Sequence, residues 1–296
     1  MVSNMKTSLF ALSLAALATG PVLAQDSATA TTPDSTGAAE QQARDDAAQV
    51  LDEAIAALDE TGEAIKALGE DRVDDAVAAL ERAIGKLEVT LADNPELALA
   101  PVAVTSSVID IAATPSEIKA MRNQALRLMK DHRLQQARVI VTGLASEIDI
   151  STTYIPLETY PLALKSAAAL AKDGQKEDAL AVLDAALGTL VVVDTAIPLP
   201  LLRAGVLIDK AKGLSEKADR SDDENAQLAS LLDQIDREIA RGEALEYGGP
   251  GAFDDIRAEM RVIRDKVSGG GSGEGFFDKL KGLFGTLGRE HAAASQ

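Results

Sequence analysis

Two histidines, three tyrosines and no cysteine are all the imidazole, phenol and thiol chemistry this chain owns. His132 stands in a charged turn, "MKDHRLQQ", and His291 in a polar stretch, "REHAAASQ". Neither belongs to a Ser-His-Asp order, and no H-E-x-x-H, G-x-G-x-x-G or phosphate-loop pattern occurs, so both read as surface residues. Without cysteine there is neither a thiol nucleophile nor a disulfide. The acidic stretch "DRSDDENAQ" (219–227) lacks the central Gly and the terminal Glu of a calcium loop and reads as a solvated helix start, capped by Ser221 or Asp222. The expectation is a protein that is not an enzyme and carries neither metal nor cofactor.

Two sets of residues remain as binding candidates. The stretch "STTYIPLETYPLAL" (151–164) differs from its Ala/Leu/Glu/Asp surroundings. Its Tyr154, Pro156 and Tyr160, with Pro198 from a later copy of the same pattern, could frame a crevice for a small molecule or peptide. The competing reading is a joint that turns the chain and fills a core. Ala196 and Leu202 replace the tyrosines in the later copy, which favours packing. The second set is the stripe Phe276, Phe277, Leu280, Leu283, Phe284 and Leu287, with Asp278, Lys279 and Lys281 on other faces. Gly282 and Gly285 each cost this short helix about 1 kcal/mol relative to Ala. It therefore needs an apolar surface to lie on: its own protein, a sister subunit, a client or a membrane.

The elements that would position these residues are helical. From Ala47 onward Val50, Ile55, Leu58, Ile65 and Leu68 recur at helical spacing, and after a break at 69–71 Val73, Val77, Leu80, Ile84 and Leu87 continue it. That is an α-hairpin. The design returns in "ALRLMKDHRLQQARVIV" (125–141) and "AAALAKDGQKEDALAVL" (167–183). In the three copies an Ala opens the segment (Ala64, Ala125, Ala167), a second Ala follows twelve positions on (Ala76, Ala137, Ala179), and an apolar residue stands four further (Leu80, Val141, Leu183). Small residues there let two helices approach closely. The last two copies lie 42 residues apart, an offset that also places Ile155-Pro156-Leu157 on Ile197-Pro198-Leu199. The β-branched runs 102–112, 148–155 and 190–197 are long enough for short strands that pair into a small sheet. Proline at these joints suits the first turn of a following helix. The fold class is mainly α: antiparallel helical hairpins with a roughly 42-residue internal repeat and a few short strands at the joints.

Residues 1–24 read as a secretory leader, with Lys6 before an apolar run from Leu9 to Ala18 and small residues at Val22-Leu23-Ala24. Removing it takes the net charge from −18 to −19. The organisation expected is a leader (1–24), a flexible N-terminus (25–43), a helical domain (44–267), a Gly/Ser linker (268–275), an amphipathic aromatic tail helix (276–290) and a polar end (291–296). The leader points to the periplasm and a soluble exported protein. So acidic a chain repels phosphate backbones, which disfavours nucleic acid as a partner. Acid would protonate clustered carboxylates, lower self-repulsion and favour association.

The stretches "ALAPVAVTSSVIDI" and "LQQARVIVTGLASEIDISTTYIPLETYPLALKSAAALAKDGQKEDALAVLDAALGTLVVVDTAIPLPLLRA", within about 87–212, resemble the YfdX family of exported bacterial proteins. The two I-P-L joints and the Thr/Val runs occur in order and at the family's separation. The resemblance implies a mostly helical, self-associating periplasmic protein connected with acid stress and chaperone-like behaviour toward unfolded clients. It brings no established catalytic residue.

Overall fold

The computed structural model describes residues 35–47, 51–249 and 251–294. Residues 1–34, where the leader and most of the flexible N-terminus are expected, lie outside them. The described chain is mainly helical, and three times over it repeats a hairpin followed by a strand. The first unit is α2 (Asp52–Gly69), α3 (Val73–Asp93) and β1 (Leu99–Asp110). The second is α4 (Pro115–Lys130), α5 (Leu134–Val141) and β2 (Ser146–Pro156). The third is α6 (Tyr160–Lys172), α7 (Lys176–Leu187) and β3 (Val191–Pro198).

The hairpin turns are built alike. Asp71, His132 and Gly174 stand at equivalent places with left-handed backbones, φ 60°, 57° and 76°. The next amide in each donates back into the preceding helix: Arg72 N to Ala67 O at 2.8 Å, Arg133 N to Leu128 O at 2.8 Å, Gln175 N to Leu170 O at 2.9 Å. His132 is therefore a turn residue. The paired alanines of the repeat, Ala64 with Ala76, Ala125 with Ala137 and Ala167 with Ala179, are all buried. Ser221 caps its helix, accepting from Glu224 N at 3.3 Å.

The strands form one antiparallel sheet in the order β1-β2-β3. Ile148 faces Val108 on one side and Ile197 on the other. The joint prolines are not in helices' first turns as their sequence context suggests. Pro156 ends β2 with three residues between it and α6, and Pro198 ends β3 as the N-cap of α8 (Leu199–Glu216). First-turn prolines are instead Pro115, Pro161 and Pro200.

Apolar side chains gather into two main cores. One, alanine-rich, joins α2, α3, α6 and α7 around Leu68, Leu80, Leu164 and Leu183. The other joins α8, α9 (Asp222–Ala244), α10 (Asp254–Val267) and α11 (Asp278–Ala294) around Ile208, Ile235, Ile239, Phe253 and Met260. A small third cluster of Ile148, Ile150 and Leu199 lies between sheet and α8.

Both chain ends depart from the expected organisation. Residues 35–43, expected to be flexible, are part of a helix, α1 (Ser35–Ala47). The glycine-rich segment is tied down: Ser268–Gly270 makes a 3-10 turn, Arg220 Nη2 donates to Gly271 O at 2.6 Å, and Gly273 N donates to Ser215 O at 3.1 Å. The aromatic helix begins at Asp278 and reaches Ala294. Gly248 suits the place where that helix crosses the α9–α10 turn, because a Cβ there would stand 2.7 Å from Ala252 Cβ and 2.8 Å from Leu287 Cδ1. Where α8 and α9 meet the sheet, Asp110 bridges Arg203 at 2.9 Å and Arg241 at 2.6 Å and accepts from Ser146 Oγ at 2.6 Å.

Candidate interaction surface

The structure does not assemble the crevice that the tyrosines and prolines suggest. Tyr154 lies at one end of β2, opposite Val191, whereas Pro198 lies opposite Glu147 at the other end. Seven residues of strand separate them, about 24 Å. Tyr160 is buried in the first core, where burial raises its pKa against the opposing influence of the Thr61 hydroxyl, itself donating to Ala57 O. Packing explains Tyr160. The aromatic stripe is not a free surface either. Phe277, Leu280, Phe284 and Leu287 are buried in the second core, with Phe276 and Leu283 at its margin. Around them Lys212 pairs with Asp278 at 2.6 Å, Lys281 with Asp209 at 2.8 Å and Lys279 with Glu259 at 2.6 Å. The Lys266 ammonium sits 5.0 Å from the Phe276 ring centre.

Two of the grooves on the described surface are lined by ionisable side chains. One, of about 450 Å³, runs over the sheet beside Thr105, Asp149, Ser151 and Asp194. Burial, with the Asp194 charge behind it, raises the Asp149 pKa, and Ser151 Oγ donates to Asp194 Oδ1 at 2.5 Å. The other, of about 470 Å³, lies between α4 and the α9–α10 turn and is lined by Lys119, Arg122, Glu243 and Glu246. Its charges are mutually satisfied: Arg122 pairs with Glu246 at 2.7 Å and donates to Ala244 O at 3.3 Å. Among the described residues no cluster of His, Cys, Asp and Glu has the geometry to hold a metal ion.

The α4–α5 hairpin is the exception in surface chemistry. Only Ile118, Ala125 and Ala137 are buried along it. Leu126, Met129, Leu134, Val139 and Val141 are exposed, Val139 by 76% and Leu134 by 58%. At the end of β1 that leads into α4, Val108 and Ile109 are exposed as well. Lys119, Arg122, Arg127, Lys130, Arg133 and Arg138 face only Glu117 and Asp131 along the hairpin, a local charge of +4 in a chain whose total is −18. Arg122 at the inner end holds the hairpin to α9, and the outer half has apolar and basic side chains with no core to join. Sequence reasoning stopped at the hairpin's spacing. The signal that could have singled it out is the reversal of charge over 115–141.

The hairpins and strands that frame this surface coincide with a recognised sequence region. The family model described as YfdX protein matches residues 57–196, from within α2 to near the end of β3. This segment belongs to the YfdX family. The YfdX region thus starts before the stretch from about 87 that carries the resemblance in sequence, takes in most of the α2–α3 hairpin, and stops short of α8. Among solved structures, Salmonella Typhi YfdX in an orthorhombic crystal form is similar at 16% identity, covering 51% of this chain and 93% of that one, with a TM-score of 0.37. No curated protein matches the chain. α1 and the helices α8–α11 with their aromatic core lie outside the YfdX match.

Proposed function

We propose that this protein is an exported, non-enzymatic stress protein that self-associates and holds exposed apolar segments of unfolded polypeptides, more strongly in acid. The observation that carries the reading is the α4–α5 hairpin, a basic surface bearing exposed Leu126, Met129, Leu134 and Val139 on an otherwise acidic molecule. Exposed apolar patches ringed by charge are typical of surfaces that contact other chains. The leader pattern supports export, and the family of residues 57–196 is consistent with a stress role. Acid lowers the net negative charge and with it the repulsion between copies. A membrane role through the tail loses its support, because that stripe is enclosed in the second core. A ligand crevice loses its support through the separation of Tyr154 from Pro198.

The test is light scattering of an aggregating client at neutral and acidic pH, with the wild type and with Leu134→Asp/Val139→Asp. Suppression of aggregation that grows in acid and is lost in the variant is the expected result. Equal suppression by both proteins would overturn the assignment to this hairpin.

A further inference from the structure

The outer half of the α4–α5 hairpin carries its charge unpaired. Lys119 and Arg122 at the inner end meet Glu243 and Glu246 near the end of α9. Among the described residues Arg127, Lys130, Arg133 and Arg138 form no ion pair, and all four are exposed. They share helix faces with exposed apolar side chains. Lys130 stands one turn after Leu126, and Arg138 lies one turn after Leu134 and one turn before Val141.

The next repeat shows what a hairpin of this charge packs on. Lys165, Lys172 and Lys176 of α6 and α7 reach Glu88, Glu81 and Asp71 of the α2–α3 hairpin at 3.1, 3.0 and 2.5 Å. Lys130 stands 42 residues before Lys172, at its place in the repeat, and meets no carboxylate there.

A face with the opposite charge lies elsewhere on the chain. The pairs Glu81–Lys172 and Glu88–Lys165 are seven residues apart on each helix, so α3 and α6 run antiparallel in step. Three residues on along α3 and three back along α6, the same register sets Leu91 beside Leu162, exposed by 41% and 62%. Asp93, Glu96 and Glu158 flank this pair in the chain, are exposed and, among the described residues, form no ion pair. The α3–α6 end thus joins exposed leucines to free carboxylates, where the hairpin joins exposed leucines to free cations. Pairing the hairpin with its own counterpart in a second copy would instead set +4 against +4.

We infer that the α4–α5 hairpin docks on the α3–α6 end of a second copy, its Lys130 and Arg138 meeting Asp93 and Glu158 around an apolar contact of leucines. The two faces differ, so the contact is heterologous and every copy both gives a hairpin and receives one. This rests on the self-association proposed above, and it makes the hairpin a surface for which a sister copy and a client compete.

Charge reversal tests the contact in the full chain, by sedimentation equilibrium at neutral pH and low salt. Lys130→Glu/Arg138→Glu sets an acidic hairpin against the acidic face, and Asp93→Lys/Glu158→Lys sets a basic face against the basic hairpin. Each variant alone should associate about tenfold or more weakly than the wild type. An equimolar mixture of the two should recover, because each then meets its complement in the other; recovery also shows that both are folded. The second variant lowers the total negative charge, so bulk repulsion alone predicts the opposite, stronger association. Oligomers of unchanged strength in either variant, or a mixture no stronger than its parts, would leave self-association standing and overturn this contact. A wild type that stays monomeric at every concentration would overturn both.

Discussion

At one place in two hairpins stand Leu183, fully buried, and Val141, half exposed. Forty-two residues apart, α4 and α6 differ in the same way: Leu126 and Met129 are exposed where Ala168 and Ala171 are buried. In α6 the small side chains let the helix lie closely on α3, so α6–α7 closes a core with α2–α3. In α4 larger side chains occupy those positions and no second hairpin lies over them. The turn, the spacing and the internal alanines are shared. What separates a structural hairpin from a candidate contact surface is the size of the side chains on its outer face and the presence of a neighbour.

The contrast can be broken by substitutions, beginning with the strongest effect. The second core sets the upper mark: Phe277→Ala should cost about 3–5 kcal/mol, read as a lowered chemical-denaturation midpoint. Retained stability there would mean that the tail is not part of the core. Leu183→Ala should then cost about 2–5 kcal/mol while Val141→Ala at the matching site stays within about 0.5 kcal/mol. Equal costs would show that α4–α5 is covered in solution.

The turns come next. Gly174→Ala places a Cβ in a left-handed backbone and should cost about 1 kcal/mol, whereas His132→Gly should stabilise by a similar or smaller amount. Opposite signs at equivalent positions would confirm a common turn. Against these, Val139→Asp should move stability by no more than about 0.5 kcal/mol and yet weaken client capture in the scattering assay.

Titration separates α9 from the α4–α5 hairpin by sign. Glu238, at the junction of α8 and α9, has a buried Oε2 without a hydrogen bond, and burial raises its pKa against the pull of Arg203 and Arg241. The folded state then holds the proton more tightly than the unfolded one, so stability falls as pH rises above the ordinary 4.5. Glu238→Gln should raise the Tm at neutral pH, with the difference closing as pH drops through the carboxylate range. On the hairpin, hydrogen bonds from the Thr114 hydroxyl and amide hold the Glu117 carboxyl below its ordinary value. Its contribution is present above 4.5 and is lost as pH falls below that. Glu117→Gln should lower the Tm slightly at neutral pH and do nothing in acid.

Local order was legible in the sequence because its causes are local. The helix periods, the Ala pairs at a spacing of twelve, the three β-branched runs and the Ser221 cap each depend on side chains within a turn or two of one another. The chain by itself determined that hairpins and β-branched runs alternate and that the runs suit a small sheet; its antiparallel order came from the structure. Tertiary structure alone decided which apolar faces find partners. Phe277 and Phe284 looked available because a glycine-rich stretch precedes them, but Arg220 and Ser215, some fifty residues earlier, anchor that stretch and bring the tail onto α8 and α10. Residues 35–43 looked unstructured for want of apolar side chains, and only the groove of β2 and α8 makes a helix there worth forming. Pro156 and Pro198, aligned by the repeat, were parted because antiparallel pairing sends β3 back along β2 and leaves the ends of the two strands at opposite ends of the sheet.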